Sequence, residues 1–284
     1  MERLDPTGPN ADQITYWNEQ GGPKWVQLQE QLDHHLAGFG HLVMDRLALA
    51  AGERVLDVGC GCGETSLDLG RRVGASGSVL GVDISTVMLA RARERAPQVK
   101  NVAFAVADAQ THAFTPASFD AIFSRFGVMF FQDPTVAFTN LHGALKSGGR
   151  LGFHCWKTFQ DNAFMTVPFF AALSHVPPPT PPVPNAPGPF AFADPDRVRG
   201  ILSDAGFAEI DFESRTDAMG VGATLDEATD YAIQMGPTSI ALREASADTV
   251  AKVRAAVRDA LVAHQTPSGV SLGTSSWVVT ARKL

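Results

Sequence analysis

The segment Val55-Leu56-Asp57-Val58-Gly59-Cys60-Gly61-Cys62-Gly63-Glu64-Thr65 ends an apolar run in an acid and places three glycines at alternate positions before a helical pattern. Without side chains at Gly59, Gly61 and Gly63, a ligand can lie almost on the backbone, and the following helix offers free N–H groups at its start. This is the form of a nucleotide-binding turn. The third glycine comes two residues after the second, whereas the dinucleotide fingerprint needs it three after, where Glu64 stands. An acid there would repel a pyrophosphate. Asp57, just before the glycines, suits instead a ligand that carries cationic groups.

Two more apolar runs end in acids. Val79 to Val82 leads into Asp83, whose carboxylate can accept hydrogen bonds from both hydroxyls of a ribose, and Val102 to Val106 leads to Ala107-Asp108-Ala109, where Asp108 can accept from the amino group of adenine. Asp83 alone does not discriminate, since NAD sites use the same device. Asp57 favours S-adenosylmethionine, with its ammonium and sulfonium, over a dinucleotide.

In combination these motifs resemble the class I S-adenosylmethionine-dependent methyltransferases, in particular the bacterial small-molecule branch that includes ubiquinone/menaquinone-biosynthesis-like enzymes. The resemblance spans about residues 50–156 and takes in Phe119-Asp120-Ala121-Ile122 and Leu145-Lys146-Ser147-Gly148-Gly149-Arg150-Leu151 as well. It implies an α/β, Rossmann-like sheet of seven mainly parallel strands with an antiparallel last strand and helices on both faces. Asp57, Gly59 and Gly61 would surround the methionine part, Asp83 would hold the ribose and Ile84 would pack on the adenine. Asp108 and Ala109 would bind the adenine edge, while Ser124, Arg125 and Phe126 would line the pocket near the transferred methyl.

These residues need elements to position them. Short apolar runs at 55–58, 78–82, 102–106, 119–123 and 150–155 alternate with helical patterns, which predicts a mainly parallel sheet. Ser85 caps one helix and Asp133-Pro134 opens another. Ahead of them, a polar arm of 22 residues gains order only by lying against something. Beyond it, Trp25, Leu28, Leu32, Leu36, Phe39, Val43 and Leu47 form an apolar stripe, with a break expected at Gly38 and Gly40. Residues 177–189 hold eight of the chain's 18 prolines and read as an extended connector. Asp194-Pro195 starts a helix, 208–215 reads as a strand, 224–234 and 246–264 as helices, and 276–281 as the last strand. The expected organisation is an arm and helical cap over 1–48, a donor-binding core over 49–158, a proline-rich lid insertion over 159–193, a core helix and sixth strand over 194–215, a helical insertion over 216–270 and the last core strand over 271–284.

The 284 residues carry 30 acidic and 23 basic side chains, a formal charge of -7 that disfavours nucleic acid or an anionic membrane as general partner. No apolar run reaches the length of a membrane span, and the start of the chain lacks a secretion pattern, so a cytoplasmic location is the expectation. Cys60, Cys62 and Cys155 offer neither a disulfide scaffold nor a metal-ligand pattern, and no metal is expected.

Methyl transfer to a small, partly apolar or aromatic acceptor, on oxygen or carbon, is the implied activity, with in-line attack on an activated carbon and no metal. His154, near the end of the fifth strand, is the candidate general base; a strand-end histidine satisfied by backbone is the alternative. Trp25 either closes over the donor or packs in the core, and Arg125 either orients an anionic acceptor or pairs with a carboxylate. His34, His35 and His175 read as solvated or ambiguous. The helical insertion suits a lid or a homodimer contact. Two rival functions stay open: a nicotinamide-dependent oxidoreductase, and a donor-binding regulatory protein without catalysis.

Overall fold

The computed structural model describes residues 4–180 and 183–284. The expectations that touch Met1–Arg3 of the arm and Pro181–Pro182 of the proline run lie outside the described residues.

The chain opens with three helices, α1 (Ala11–Glu19), α2 (Gly21–Gln27) and α3 (Gln29–Leu47). Strand and helix then alternate: β1 (Arg54–Val58), α4 (Glu64–Val73), β2 (Ser78–Asp83), α5 (Thr86–Arg95), β3 (Val102–Val106), β4 (Phe119–Arg125), α6 (Pro134–Ala144) and β5 (Leu145–Trp156). After α7 (Ala163–Ala172) and α8 (Pro195–Asp204) come β6 (Ala208–Gly222), α9 (Leu225–Gln234), α10 (Gly236–Ala241), α11 (Ala247–Leu261), β7 (Gln265–Thr266) and β8 (Gly269–Arg282). None of the described helices is long and apolar enough to cross a membrane.

Seven strands lie in the order β3-β2-β1-β4-β5-β8-β6, and β7 pairs with β8. The first five are parallel, with Leu56 of β1 opposite Leu80 of β2 and Ile122 of β4. Helices cover both faces of a parallel sheet, so its central strands are apolar throughout rather than alternating. Accordingly Val55, Leu56, Ala121, Ile122 and Phe123 are all fully buried. At the far edge of β5, Gly148 N donates to Lys283 O and Lys283 N to Gly149 O, which sets the start of β5 against the end of β8 and makes that pair antiparallel.

The chain divides into two compact units, one of Met1–Trp156, Asn185–Glu213 and Trp277–Leu284, the other of Lys157–Pro184 and Ser214–Ser276. In the first, Val43, Met44 and Leu47 of α3 pack with Val55, Leu69, Val73, Ala121, Phe123 and Val278 in one core. In the second, α11 packs on α7 and α9, and Phe159, Phe169 and Phe170 meet edge to face or tilted.

Helix starts follow local chemistry. Ser85 accepts from Met88 N at 3.4 Å, Asp133 from Val136 N at 3.1 Å with Pro134 in the first turn, Asp194 from Asp196 N at 3.0 Å and Thr224 from Glu227 N at 3.2 Å. The expected break at Gly38 and Gly40 is absent, for α3 runs unbroken from Gln29 to Leu47. A glycine in a helix costs about 1 kcal/mol, less than burial of Leu36, Phe39, Val43 and Met44 on the same helix returns. Gly40 is moreover where α3 crosses Thr65 and Arg125, 3.3 and 3.5 Å from the place of a Cβ. The last two long strands exceed the runs of 208–215 and 276–281, because hydroxyl and glycine residues there weaken the apolar signal that marks a strand. The two-residue β7 carries no signal at all.

Gly152 of β5 faces α3 so closely that a Cβ would lie 2.9 Å from Leu47 Cγ and 3.0 Å from Val43 Cγ1. Replacing Gly152 with alanine is expected to lower unfolding free energy by about 1–3 kcal/mol through overpacking. Urea denaturation checks this; an unchanged midpoint would mean that α3 yields without cost.

Candidate functional site

The glycine turn hangs from the end of β2. Gly59 N and Cys60 N donate to Val82 O at 2.9 and 3.1 Å, and Gly61 N donates to Asp83 Oδ2 at 2.9 Å. Asp83 Oδ1 accepts from Ser85 N at 2.8 Å, so one carboxylate fixes both the turn and the start of α5. Gly59 and Gly61 have φ of +69° and +54°, where side chains are strained. A Cβ at Gly59 would meet Gly127 Cα at 2.8 Å, so close approach forbids one. At Gly61 the nearest atoms to that place are Met88 Sδ at 3.8 Å and Trp25 Nε1 at 4.0 Å. The turn is therefore roomy at Gly61, with the Trp25 indole beside the space.

Asp57, at the end of β1, is fully buried. Its Oδ2 accepts from Thr65 Oγ1 at 2.7 Å and Ser66 Oγ at 2.6 Å, while its Oδ1 is buried with no hydrogen-bond partner among the described residues. Burial pushes its carboxyl up to about 6; the bonds from Ser66 and Thr65 and the Arg125 charge oppose this, and Asp83 adds to it. Asp83 is likewise pushed up to about 6 by burial against the pull of its backbone donors Ser85, Gly61 and Ile84. Glu64, where a dinucleotide turn would have glycine, forms a largely buried ion pair with Arg125. Arg125 is thus paired with a carboxylate of α4.

The arm crosses the carboxyl ends of β2 and β3. Asn10 Nδ2 donates to Asp108 Oδ1 and Oδ2 at 2.9 and 2.8 Å and to Gln110 Oε1 at 3.3 Å, and Asn10 Oδ1 accepts from Gln132 N at 2.8 Å. Asn18 Nδ2 donates to Ile84 O at 2.9 Å, and Asn18 Oδ1 accepts from Thr86 N and Oγ1 at 3.0 and 2.8 Å. Trp17 O accepts from Ser85 Oγ at 2.7 Å. The Trp17 ring meets Trp25 at 5.8 Å and Phe130 at 5.2 Å, both edge to face. Ala109 is buried, and its carbonyl accepts from Asn140 Nδ2 at 2.9 Å.

At the end of β4, Ser124 Oγ donates to Val58 O at 2.7 Å, tying β4 to β1 beside the glycine turn. Phe126 follows at φ +62° and stacks on Trp156 at 4.1 Å and 11°. Phe39 of α3 closes the group against Phe126, His154 and Trp156. His154 is fully buried, and its Nδ1 lies 3.0 Å from Phe39 O. A carbonyl only accepts, so Nδ1 is the donor in this contact.

Asp57, Gly59, Gly61, Asp83, Ser124 and Arg125 thus converge on the carboxyl ends of β1, β2 and β4, with Trp25 beside Gly61. Ile84, Asp108 and Ala109 lie at the ends of β2 and β3 under the arm. Asn10, Asn18 and Gln110 had no motif to mark them. One signal was readable: Asn18 sits four residues after buried Ile14 on the same helical face, an amide where an apolar side chain is expected.

Residues 55–149 match the family of methyltransferase domains. That segment carries the sequence pattern of a methyltransferase domain. Domains of this class take S-adenosylmethionine as methyl donor. The chain is similar to the aklanonic acid methyltransferase DauC of Streptomyces sp. (strain C5), with 35% identity over 116 residues that cover 40% of this chain and 53% of that one. It is also similar to the ubiquinone/menaquinone biosynthesis C-methyltransferase UbiE of Cellvibrio japonicus, 28% identical over 64% of this chain and 79% of that one. With several curated relatives, then, the chain shares about half their length. In fold it resembles the Haemonchus contortus phosphoethanolamine N-methyltransferase 2, solved with phosphomonomethylethanolamine and S-adenosylhomocysteine, at a TM-score of 0.60 and 20% identity over 98% of this chain and 60% of that one.

The site residues fit the donor. Asp57 Oδ1 is a buried acceptor without a partner, and the turn at Gly61 leaves open the space that a side chain would fill. Because the folded chain keeps protons on Asp57 and Asp83 that the unfolded chain releases between about pH 4 and 6, their contribution to stability falls as pH rises through that window. Affinity for a cationic ligand changes in the opposite sense, since it requires the ionised acids. Calorimetric titration with S-adenosylmethionine is expected to show binding about tenfold weaker at pH 5 than at pH 7; equal affinities would show that neither acid titrates on ligand binding.

Proposed function

We propose that the protein transfers the methyl group of S-adenosylmethionine to a small, partly apolar or aromatic molecule, on oxygen or carbon, without a metal. The observation that carries this reading is the Asp83 carboxylate, which holds Gly61 N and Ser85 N at the mouth of a turn open at Gly61 and bordered by Trp25. A turn built to receive two phosphates would not be flanked by Asp57 and Glu64, which is the argument against the nicotinamide rival.

The bound donor supplies a sulfonium-activated methyl. What the chain must add is position and exclusion of water. Gly59 and Gly61 let the ligand reach the backbone, Asp57 and Asp83 offer acceptors to its ammonium and ribose, and Trp25 with Trp17 and Phe130 supplies an apolar wall. The flat stack of Phe126 on Trp156 beside His154 supports an acceptor with an apolar or aromatic ring. For an acceptor with an acidic hydroxyl, His154, its imidazole oriented by Phe39 O, is the candidate group to take the proton. Similarity to a C-methyltransferase of quinone biosynthesis and to an aklanonic acid methyltransferase supports the same class of acceptor.

Asp83→Ala removes two charge-assisted hydrogen bonds that shape the turn, and is expected to weaken binding of S-adenosylmethionine and S-adenosylhomocysteine about a hundredfold while the circular dichroism spectrum is kept. Transfer of a labelled methyl group to members of a panel of hydroxylated aromatic and quinol-type compounds, absent in the variant, would establish catalysis. Binding of NADH in place of the sulfonium ligand by the wild-type protein would reverse the reading. Tight donor binding with no transfer to any compound of the panel would favour a regulatory protein.

A further inference from the structure

Asn10 stands at the N-cap of α1, where an asparagine ordinarily accepts from the N–H groups of its own helix. Here its side chain makes no such bond. It is 3% exposed, and every polar contact it makes is to Asp108, Gln110 or Gln132, residues about a hundred positions away. A local cap is given up for a tertiary clasp at the end of β3.

The clasp leaves something unused. A carboxylate offers about four lone-pair sites. The amide of Asn10 straddles both oxygens of Asp108 and occupies their inner sites, and Gln110 N takes an outer site of Oδ1 at 2.9 Å. Among the described residues, one outer site of Oδ2 has no partner. Gln110 completes the frame, because its Oε1 accepts from Asn10 Nδ2 and from Asp133 N at 3.0 Å.

Building on the donor reading above, we propose that Asn10 is a positioning residue for the base of the donor. It fixes the Asp108 carboxylate so that its one remaining acceptor site serves an exocyclic amine, and it ties closure of the arm to recognition of that amine. Asn18 anchors the other end of the same helix to Ile84 O and Thr86 N, so α1 is held at both ends across the strand termini that carry Asp83 and Asp108. Removal of Asn10 therefore acts on two observables at once: order of the arm and preference for adenine over a 6-oxo base.

The test uses the full chain with S-adenosylhomocysteine and its inosine counterpart, S-inosylhomocysteine, in which an oxygen replaces the amine. Asn10→Ala is expected to speed amide hydrogen exchange across residues 11–19, to weaken S-adenosylhomocysteine about tenfold, the worth of one hydrogen bond to a charged group, and to shrink the preference for adenine. Asn10→Asp, which sets two carboxylates face to face, is expected to release the arm, and adding Asp108→Asn, which swaps donor and acceptor, to restore its protection. An Asn10→Ala protein with unchanged arm exchange, or with unchanged affinity and base preference, overturns the proposal. Failure of the wild-type protein to bind either nucleoside overturns the donor reading and this proposal with it, and differs visibly from a wild type that binds and a variant that matches it.

Discussion

The Asp83 carboxylate is the point on which the site hangs. Gly61 N and Ser85 N converge on its two oxygens, so the turn after β1 and the helix after β2 share a single anchor. Geometry enforces the arrangement. Parallel strands end side by side, and a strand-end acid can reach both its own following helix and the neighbouring turn. An uncompensated buried carboxylate costs several kcal/mol. Backbone N–H groups offset part of that cost without cancelling the charge, which keeps the group an acceptor for a ligand.

Asp57 shows the same compromise in sharper form. Two hydroxyls satisfy one oxygen and none the other, and the charge of Asp83 disfavours its ionisation. Two acids that repel one another in a buried site do not serve stability. In the reading proposed above, the cationic donor would relieve that repulsion. The neighbouring Cys60 thiol is pushed well up by burial and by both acids, which disfavours its thiolate. Its use is size: Gly81 has Cys60 Sγ 3.0 Å from the place of its missing Cβ.

Much of this was legible from residue order. Alternating apolar runs and caps such as Ser85, Asp133 and Asp194 mark the helices and strands because they act through neighbours only a few positions away. The three strand-end acids were legible for the same reason, since each follows its own apolar run. Continuity of α3 through Gly38 and Gly40 was not, because it depends on what α3 lies upon. Nor was the pairing of Arg125 with Glu64, which joins residues 61 apart and is set by the register of β4 beside β1. His154 was visible as a strand-end histidine, but its burial and its bond to Phe39 O come from α3 folding over β5.

The arm shows most plainly where local reading ends. Asn10 could cap its own helix and does not; Asn18 lies on the buried face of α1, where local pattern calls for an apolar side chain. Each breaks a local rule and each reaches partners far away in sequence: Asn10 reaches Asp108, Gln110 and Gln132, and Asn18, besides Ile14 O of its own helix, reaches Ile84 O and Thr86 N. A short helix of nine residues is marginal on its own, so α1 gains its order from those two amides together with the Trp17 contacts to Trp25 and Phe130. An element held by a few polar bonds at the ends of strands can open at moderate cost, whereas α3, which buries a full apolar stripe in the core, cannot. The division of labour between them follows: α3 belongs to the fold, and α1 to the site that it covers.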